Sequence, residues 1–210
     1  HPGLATYFTR LGSAQIRALG TIGGNLGTAS PIGDSLPVLL ALDAVLTLAS
    51  RRGTRHLPAA EFFLGYRETA LAADEIIVSL TLPALPAETL VVAEKVSKRR
   101  DQDISAVAAA FCVTLAEGRI SAVRLAFGGV AARPLRATAA EAALTGAPPD
   151  AAAFAAAAAA LAQDIAPLGD WRGSAAYRRR AAASLLHRLH RRLVPDGAPV
   201  DLDSLAGAVA

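Results

Sequence analysis

Residues 20–34 constrain the chain more than any other stretch. They contain Gly20, Gly23, Gly24, Gly27 and Gly33, closed by Pro31-Ile32-Gly33-Asp34. The run repeats with neither the helical nor the strand period, and its glycines permit positive φ and close backbone approach. It is therefore read as a loop. Successive N–H groups in such a loop can form an anion-binding concavity, and a following helix adds the positive end of its dipole. Thr21, Asn25 and Thr28 supply short polar side chains beside it. The spacing matches neither Gly-x-Gly-x-x-Gly nor a Walker loop. From the residues alone, a phosphate cradle and a tight structural loop stand as equal readings. Asp34 is likewise either a helix cap or a ligand.

Around this loop the pattern reads as α+β. A short helical lead-in covers residues 1–20, and a helix starts at Asp34 or Ser35 with Pro37 in its first turn. Residues 44–49 form a strand that Arg51-Arg52-Gly53 turns back into residues 54–57. Pro58 opens a short helix carrying Phe62 and Phe63. Residues 75–82 are a β-branched strand, and Pro83 and Pro86 mark a boundary, giving domains 1–86 and 87–210. Beyond it, residues 90–97 read as a strand followed by the charged segment 98–103. Residues 108–116 and 120–127 alternate as a hairpin across Glu117-Gly118-Arg119. Three helices are expected at about 137–145, 150–166 and 173–192, the middle one nearly all Ala, the best helix former.

Conventional catalytic groups are sparse. His187 and His190 lie three apart on a basic helix with no acidic neighbour, which argues against a metal site. Cys112 sits inside an alternating strand and reads as a buried thiol. There is no Gly-x-Ser-x-Gly elbow and no pair of carboxylates at useful helical spacing, so any chemistry falls to a cofactor. One cysteine excludes an internal disulfide framework and a four-cysteine iron–sulfur site in this chain. No apolar run reaches the roughly 18 residues of a membrane span, and cytoplasm is the default location. The net charge of +3 is too mild for nucleic acid. The arginines at 172, 178–180, 188, 191 and 192 are read as facing solvent, pairing with acids elsewhere or touching another subunit. The chain opens with His1 and contains no Met, so it is expected to be the later part of a longer protein, or one piece of it.

The order of the motifs is more specific than any one of them. Gln15-Ile16-Arg17, Thr21-Ile22-Gly23-Gly24-Asn25 and Ala29-Ser30-Pro31-Ile32-Gly33-Asp34 together resemble the second flavin-binding motif of the molybdenum hydroxylase flavoproteins. Phe62-Phe63-Leu64-Gly65-Tyr66-Arg67 and Asp74-Glu75-Ile76-Ile77 resemble the later part of the same FAD domain. Residues 95–104 are similar to the segment leading out of it. Phe127-Gly128-Gly129 and Asp170-Trp171-Arg172-Gly173-Ser174-Ala175-Ala176-Tyr177-Arg178-Arg179 resemble the C-terminal domain of these flavoproteins.

The likeness spans roughly residues 4–193 and is nearest to the xanthine dehydrogenase branch. Asn25 after the glycine pair, the form of residues 29–34, and the Arg99-Arg100 pair followed by acids all lean that way. The resemblance implies the second half of a PCMH-type FAD-binding domain, then an antiparallel sheet with a helical bundle. FAD is the implied cofactor of this module, with the molybdenum cofactor and [2Fe-2S] clusters elsewhere in a hetero-oligomer, and NAD as electron acceptor. The glycine loop that opens such FAD domains, and the cysteine-rich iron–sulfur domains, are not in this sequence.

By the same resemblance, Thr21, Gly23, Gly24 and Asn25 lie against the FAD pyrophosphate, Ile22 among them counts as cofactor-binding, and Asp34 meets a ribityl or ribose hydroxyl. Ile77 flanks the isoalloxazine ring, Lys95 contacts the cofactor, and Leu11 stands where relatives often carry an aromatic. Ile77 as strand core and Lys95 as a solvated lysine remain alternatives. Arg99, Arg100, Asp101 and Asp103 are read either as a mobile loop controlling oxidant access or as a solvated charged turn. No residue of this segment is assigned a catalytic or metal-binding role. The alternative functions are the flavoprotein of a sister enzyme (carbon monoxide dehydrogenase or aromatic acyl-CoA reductase type), a flavin-free docking scaffold, and a basic nucleic-acid module.

Overall fold

The structure is a computed structural model that describes residues 2–100 and 102–194. Asp101 of the charged segment, His1, and residues 195–210 of the second expected domain lie outside the described residues. The chain begins with α1 (Pro2–Thr9), α2 (Ala14–Leu19), α3 (Ile22–Thr28) and α4 (Ser35–Ala41). The hairpin β1 (Val45–Ser50) and β2 (Gly53–Pro58) leads through α5 (Ala59–Phe62) to the small pair β3 (Phe63–Gly65) and β4 (Glu68–Thr69). The strand β5 (Ile76–Thr81) then returns beside β1, in a three-stranded sheet of order β2-β1-β5. Four antiparallel strands follow in the order β6 (Thr89–Val96), β7 (Val107–Ala116), β8 (Arg119–Gly128) and β9 (Leu135–Arg136). The helices α6 (Thr138–Leu144), α7 (Ala151–Asp164) and α8 (Ala175–Leu193) complete the fold.

One expectation needs correction at the glycine-rich segment. Residues 22–28 are not loop but helix α3, although three of the seven residues are glycine. Glycine lowers helix propensity by roughly 1 kcal/mol per residue, so this helix depends on its ends and its anchor. The Thr21 hydroxyl accepts the Gly24 N–H at 2.9 Å, and Thr28 Oγ1 donates to the Gly24 carbonyl at 2.8 Å. Leu26 is fully buried, and Ala29 ends the helix in the left-handed region at φ 45°. Phe63 is likewise strand rather than helix, and β3, β4 and β9 are too short for period 2 to register.

The 4-stranded sheet separates two hydrophobic clusters. Successive side chains of a strand point to opposite faces. In β7, Val107, Ala109, Phe111 and Val113 face α6, α7 and α8, while Ala110 and Cys112 face the N-terminal elements. The helical side is filled by bulk: Phe111, Phe127, Phe154, Leu161, Leu185 and Leu186. The other side is paved with Ala110, Cys112 and Ala126, and these small residues let α4 lie close. All seven residues of α4 are buried, so it is apolar on every side, as a central helix must be. At the β7–β8 turn, Glu117 and Gly118 have φ of 51° and 71°, the pair of positive angles a tight hairpin requires.

Candidate functional site

Asp34 stands at the start of α4 but does not cap it, since its side chain makes no capping bond. Its carboxylate turns toward β6 instead. Lys95 Nζ donates to Asp34 Oδ2 at 2.6 Å, and Ser105 Oγ donates to Oδ1 at 2.5 Å. Lys95 Nζ also donates to the Arg10 carbonyl at 3.0 Å. The Lys95 and Asp34 side chains are only 2% and 10% exposed. Lys95 is therefore not a solvated lysine. Buried charges persist when they are paired and hydrogen-bonded, and both are.

Tyr7 donates its hydroxyl to the Asp34 carbonyl at 2.7 Å. Burial, and then the nearby Asp34 charge, push its phenol well above the ordinary value against the opposing influence of Arg10, so it stays a protonated donor. Arg10 reaches from the end of α1 to the Lys95 carbonyl, Ser97 Oγ and the Arg100 carbonyl at 3.5, 3.4 and 3.3 Å. Arg99 turns back on Gln102 and Asp103. Asp103 accepts the Arg99 N–H at 2.8 Å, the main cause of its lowered carboxyl pKa.

The other sequence-predicted residues join this network. Asn25 Oδ1 accepts Ser35 Oγ at 2.5 Å, tying α3 to the residue after Asp34. Leu11 is half-buried, and its carbonyl accepts Arg17 at 3.1 Å. Thr21, Ile22, Gly23 and Gly24 form the exposed N-terminal turn of α3. Its first N–H groups have no intrahelical partner, and Thr21 Oγ1 takes the one at Gly24. An added Cβ at Gly23 or Gly27 would meet nothing within 4 Å, so internal packing does not account for glycine at either position. A group lying against the backbone from outside would account for both.

Helix α3 lies alongside β5. Ile77 pairs with Leu48 and packs toward the N-terminal cluster, while Ile76 and Val78 are 66% and 56% exposed. At the start of this strand, the Arg55 guanidinium chelates Glu75, both oxygens at 2.7 Å. Arg55, with the Ala72 N–H, holds the Glu75 carboxyl down to about 2.

Several positioning groups were given no role by the sequence reading. Gly129 has φ 79°, and its N–H donates to the Pro31 carbonyl at 2.7 Å. A Cβ there would lie 2.4 Å from the Ala106 carbonyl oxygen. Arg178 of α8, 2% exposed, donates to the Ala106 and Gly129 carbonyls and to Asp170 at 2.7 Å. Burial raises the Asp170 pKa, but Arg178 and the N–H groups of Arg172 and Gly173 outweigh it and leave the carboxyl below its usual value. These contacts seat residues 30–34 on the end of β8. Ser105, Tyr7 and Arg10 carry no sequence signal of their own, whereas the glycine pair and the Asp170–Arg179 segment were visible as motifs. Two further cations of α8 follow the pairing alternative, Arg188 and Arg192 both meeting Glu94, while Arg179, Arg180 and Arg191 are exposed. Cys112 is a buried free thiol raised mainly by burial. Among the described residues, no three His, Cys, Asp or Glu side chains are placed to hold a metal ion, and no helix is long and apolar enough to cross a membrane.

Two family models match this chain: the FAD binding domain in molybdopterin dehydrogenase over residues 1–85, and the CO dehydrogenase flavoprotein C-terminal domain over residues 93–193. The xanthine dehydrogenase FAD-binding subunit of Escherichia coli O157:H7 is 34% identical over 178 residues, 84% of this chain and 61% of that protein. The nicotinate dehydrogenase FAD-subunit of Eubacterium barkeri is 38% identical over 144 residues, 67% of this chain and 49% of that protein. Among solved structures, the carbon monoxide dehydrogenase of Hydrogenophaga pseudoflava superposes with a TM-score of 0.85 at 35% identity, covering 89% of this chain and 65% of that one. The chain thus spans less than two thirds of the length of these relatives. Motif order, fold and both matches agree, and the chain belongs to the FAD-binding flavoprotein family of the molybdenum hydroxylases.

Proposed function

We propose that this chain is the C-terminal part of the flavin-bearing, electron-output subunit of a xanthine dehydrogenase-type enzyme. In that enzyme a purine is oxidised at a molybdenum centre, electrons cross [2Fe-2S] clusters to FAD, and NAD carries them away. The observation that carries the reading is helix α3: an exposed glycine-rich start with open space at Gly23 and, one turn on, at Gly27. Those residues fit FAD. Ile22 and Gly23 present N–H groups suited to a pyrophosphate, and bare glycine lets the diphosphate reach the backbone.

FAD, when bound, supplies the exchange between one-electron and two-electron carriers. The chain's own residues bind and orient. The Asn25–Ser35 bond fixes α3 against α4, so the helix start is held before any ligand arrives. Asp34 and Lys95 are each other's partner; they lock the floor of the site and keep a paired charge beside it. Ile76 and Val78 leave an apolar strand surface next to α3, suited to a ring system and unsuited to water. The hetero-oligomeric partners of this reading are a molybdenum-binding subunit and iron–sulfur domains. A cytoplasmic setting goes with it, and the single cysteine is a free thiol.

The structural likeness to carbon monoxide dehydrogenase supports a second reading, the flavin subunit of a sister hydroxylase with another substrate. The deciding experiment is the visible spectrum of the natural full-length protein with its partners, before and after xanthine and then NAD. Flavin bands that bleach with xanthine and return with NAD are the expected result. Flavin that xanthine does not reduce moves the substrate to a sister enzyme. No bound flavin overturns the reading in favour of a docking scaffold.

A further inference from the structure

Helix α8 buries one side and leaves the other uncovered. Arg178, Ala182, Leu185, Leu186 and Leu189 face the core. Opposite them, at steps of three and four, Tyr177, Arg180, Ser184, His187 and Arg191 form an exposed ridge. Arg180 and Arg191 stand about 16 Å apart along the helix, with Arg179 beside the ridge. Among the described residues, these three arginines have no acid partner, unlike the other arginines of α8. Nothing nearby is left to neutralise them. Helix α8 contains no acid, Asp170 is held by Arg172 and Arg178, and Glu94 by Arg188 and Arg192. In α7, packed alongside, the one acid is Asp164, which accepts the Ala139 and Ala140 N–H groups of α6. The ridge begins at an apolar corner, where Leu168 and Trp171 are 76% and 71% exposed. The Arg172 guanidinium stacks on the indole at 4.1 Å and orients it.

We propose that this face docks a partner subunit of the hetero-oligomer, which meets the ridge with a row of Asp or Glu carboxylates and seats an apolar side chain against Trp171. The inference rests on the electron-output reading and names where its protein partner is held. Four observations select that occupant. Guanidinium forks match carboxylates, and Trp, Tyr and Arg are the usual anchors of protein interfaces. Three free cations over about 16 Å are sparse against duplex nucleic acid, which carries one charge per roughly 1.7 Å. The apolar side of α8 is buried in the core, so the helix has no apolar face to lay into a membrane. A second copy in a two-fold contact would set this cation row against itself. The same helix also reaches the candidate site. Arg178 holds the Ala106 and Gly129 carbonyls, and the Gly129 N–H holds Pro31. A subunit seated on α8 is thereby kept at a fixed distance from residues 31–34.

The test is assembly of the natural full-length protein with its partners, followed by sedimentation across a salt series. Arg180→Glu and Arg191→Glu sit on exposed positions without partners and should leave the Tm of the isolated subunit unchanged. Each is expected to weaken assembly at least tenfold, and Trp171→Ala about tenfold. Arg51→Glu makes the same charge change on the exposed β1–β2 turn and should leave assembly intact. Assembly indifferent to both α8 reversals, or equally weakened by Arg51→Glu, overturns the proposal. So does a finding that the reversals abolish only self-association of the subunit, or only salt-sensitive binding to RNA or anionic vesicles. The two readings fail separately. Flavin that bleaches with xanthine in a complex indifferent to the reversals removes the docking face alone. A complex that is sensitive to them but holds no flavin keeps the docking face and removes the electron-output reading.

Discussion

Lys95→Met tests whether the Asp34 network of the candidate site is held by its buried ion pair. At 2.6 Å, and with an effective dielectric of about 20, the gross attraction is about 6 kcal/mol. Most of that is offset by taking both charges out of water. Removing one partner of a buried pair nevertheless costs about 3–5 kcal/mol, because the other charge is left unpaired. Asp34 keeps its bond to Ser105 at 2.5 Å, so the lower end, about 3 kcal/mol, is expected. For a chain of 210 residues that lowers Tm by roughly 6–12 °C. Asp34→Asn should cost a similar amount. The double variant Lys95→Met/Asp34→Asn contains no orphaned charge and should recover about 1–3 kcal/mol of the summed losses. The assay is urea or thermal unfolding of the four proteins as a cycle. Single costs that add to within about 0.5 kcal/mol would refute the reasoning, because they would mean that the two side chains do not stabilise each other.

Three further outcomes are expected. Gly129→Ala forces a Cβ to 2.4 Å from the Ala106 carbonyl at φ 79°; a loss of about 3 kcal/mol or more is expected in denaturant unfolding, with weakened seating of residues 30–34. Gly23→Ala meets nothing within 4 Å, so Tm should hold or rise slightly, while the flavin retained by the full-length protein, read from its absorbance ratio, should fall; unchanged flavin content would remove Gly23 from the cofactor contact. The Glu75 carboxyl has its ordinary value of 4.5 lowered to about 2 by Arg55; its stabilising effect is complete above pH 4.5 and is lost as pH falls through about 2, so Tm measured against pH should decline less steeply across that window in Glu75→Gln.

How much was legible follows from what each signal encodes. The β7–β8 hairpin was readable because alternation reports a buried face directly, and Glu117-Gly118 announces the turn. The three C-terminal helices were readable because Ala-rich and capped segments have little alternative. Helix α3 was hidden, since three glycines contradict local propensity and only a buried Leu26 and a Thr21 cap outweigh them. The likeness in motif order singled out Asp34, Asn25 and Lys95, which the structure joins in one buried polar network with Ser35, Ser105 and Arg10. It left unseen that Asp34 and Lys95 satisfy each other, because they are 61 residues apart and meet only when α4 docks on the sheet. Ser105, Tyr7 and Arg10 are ordinary residue types in ordinary segments, and distance in sequence hides what they do. Ile77 was read as lying beside the isoalloxazine ring or as strand core; it packs partly buried toward the N-terminal cluster, and strand alternation gives Ile76 and Val78 to the surface.

The sheet β6–β8 belongs to both hydrophobic clusters at once, and this makes it a party wall. A chain cut at the 83–87 linker would leave Val91, Ala110, Cys112 and Ala126 without their cover, and α4, buried on all sides, would lose the surface it rests on. Neither fragment would keep a finished exterior. Engineers who swap flavin modules between sister enzymes at that linker should expect aggregation, whereas grafts carrying residues 2–194 as one block inherit both sides of the wall.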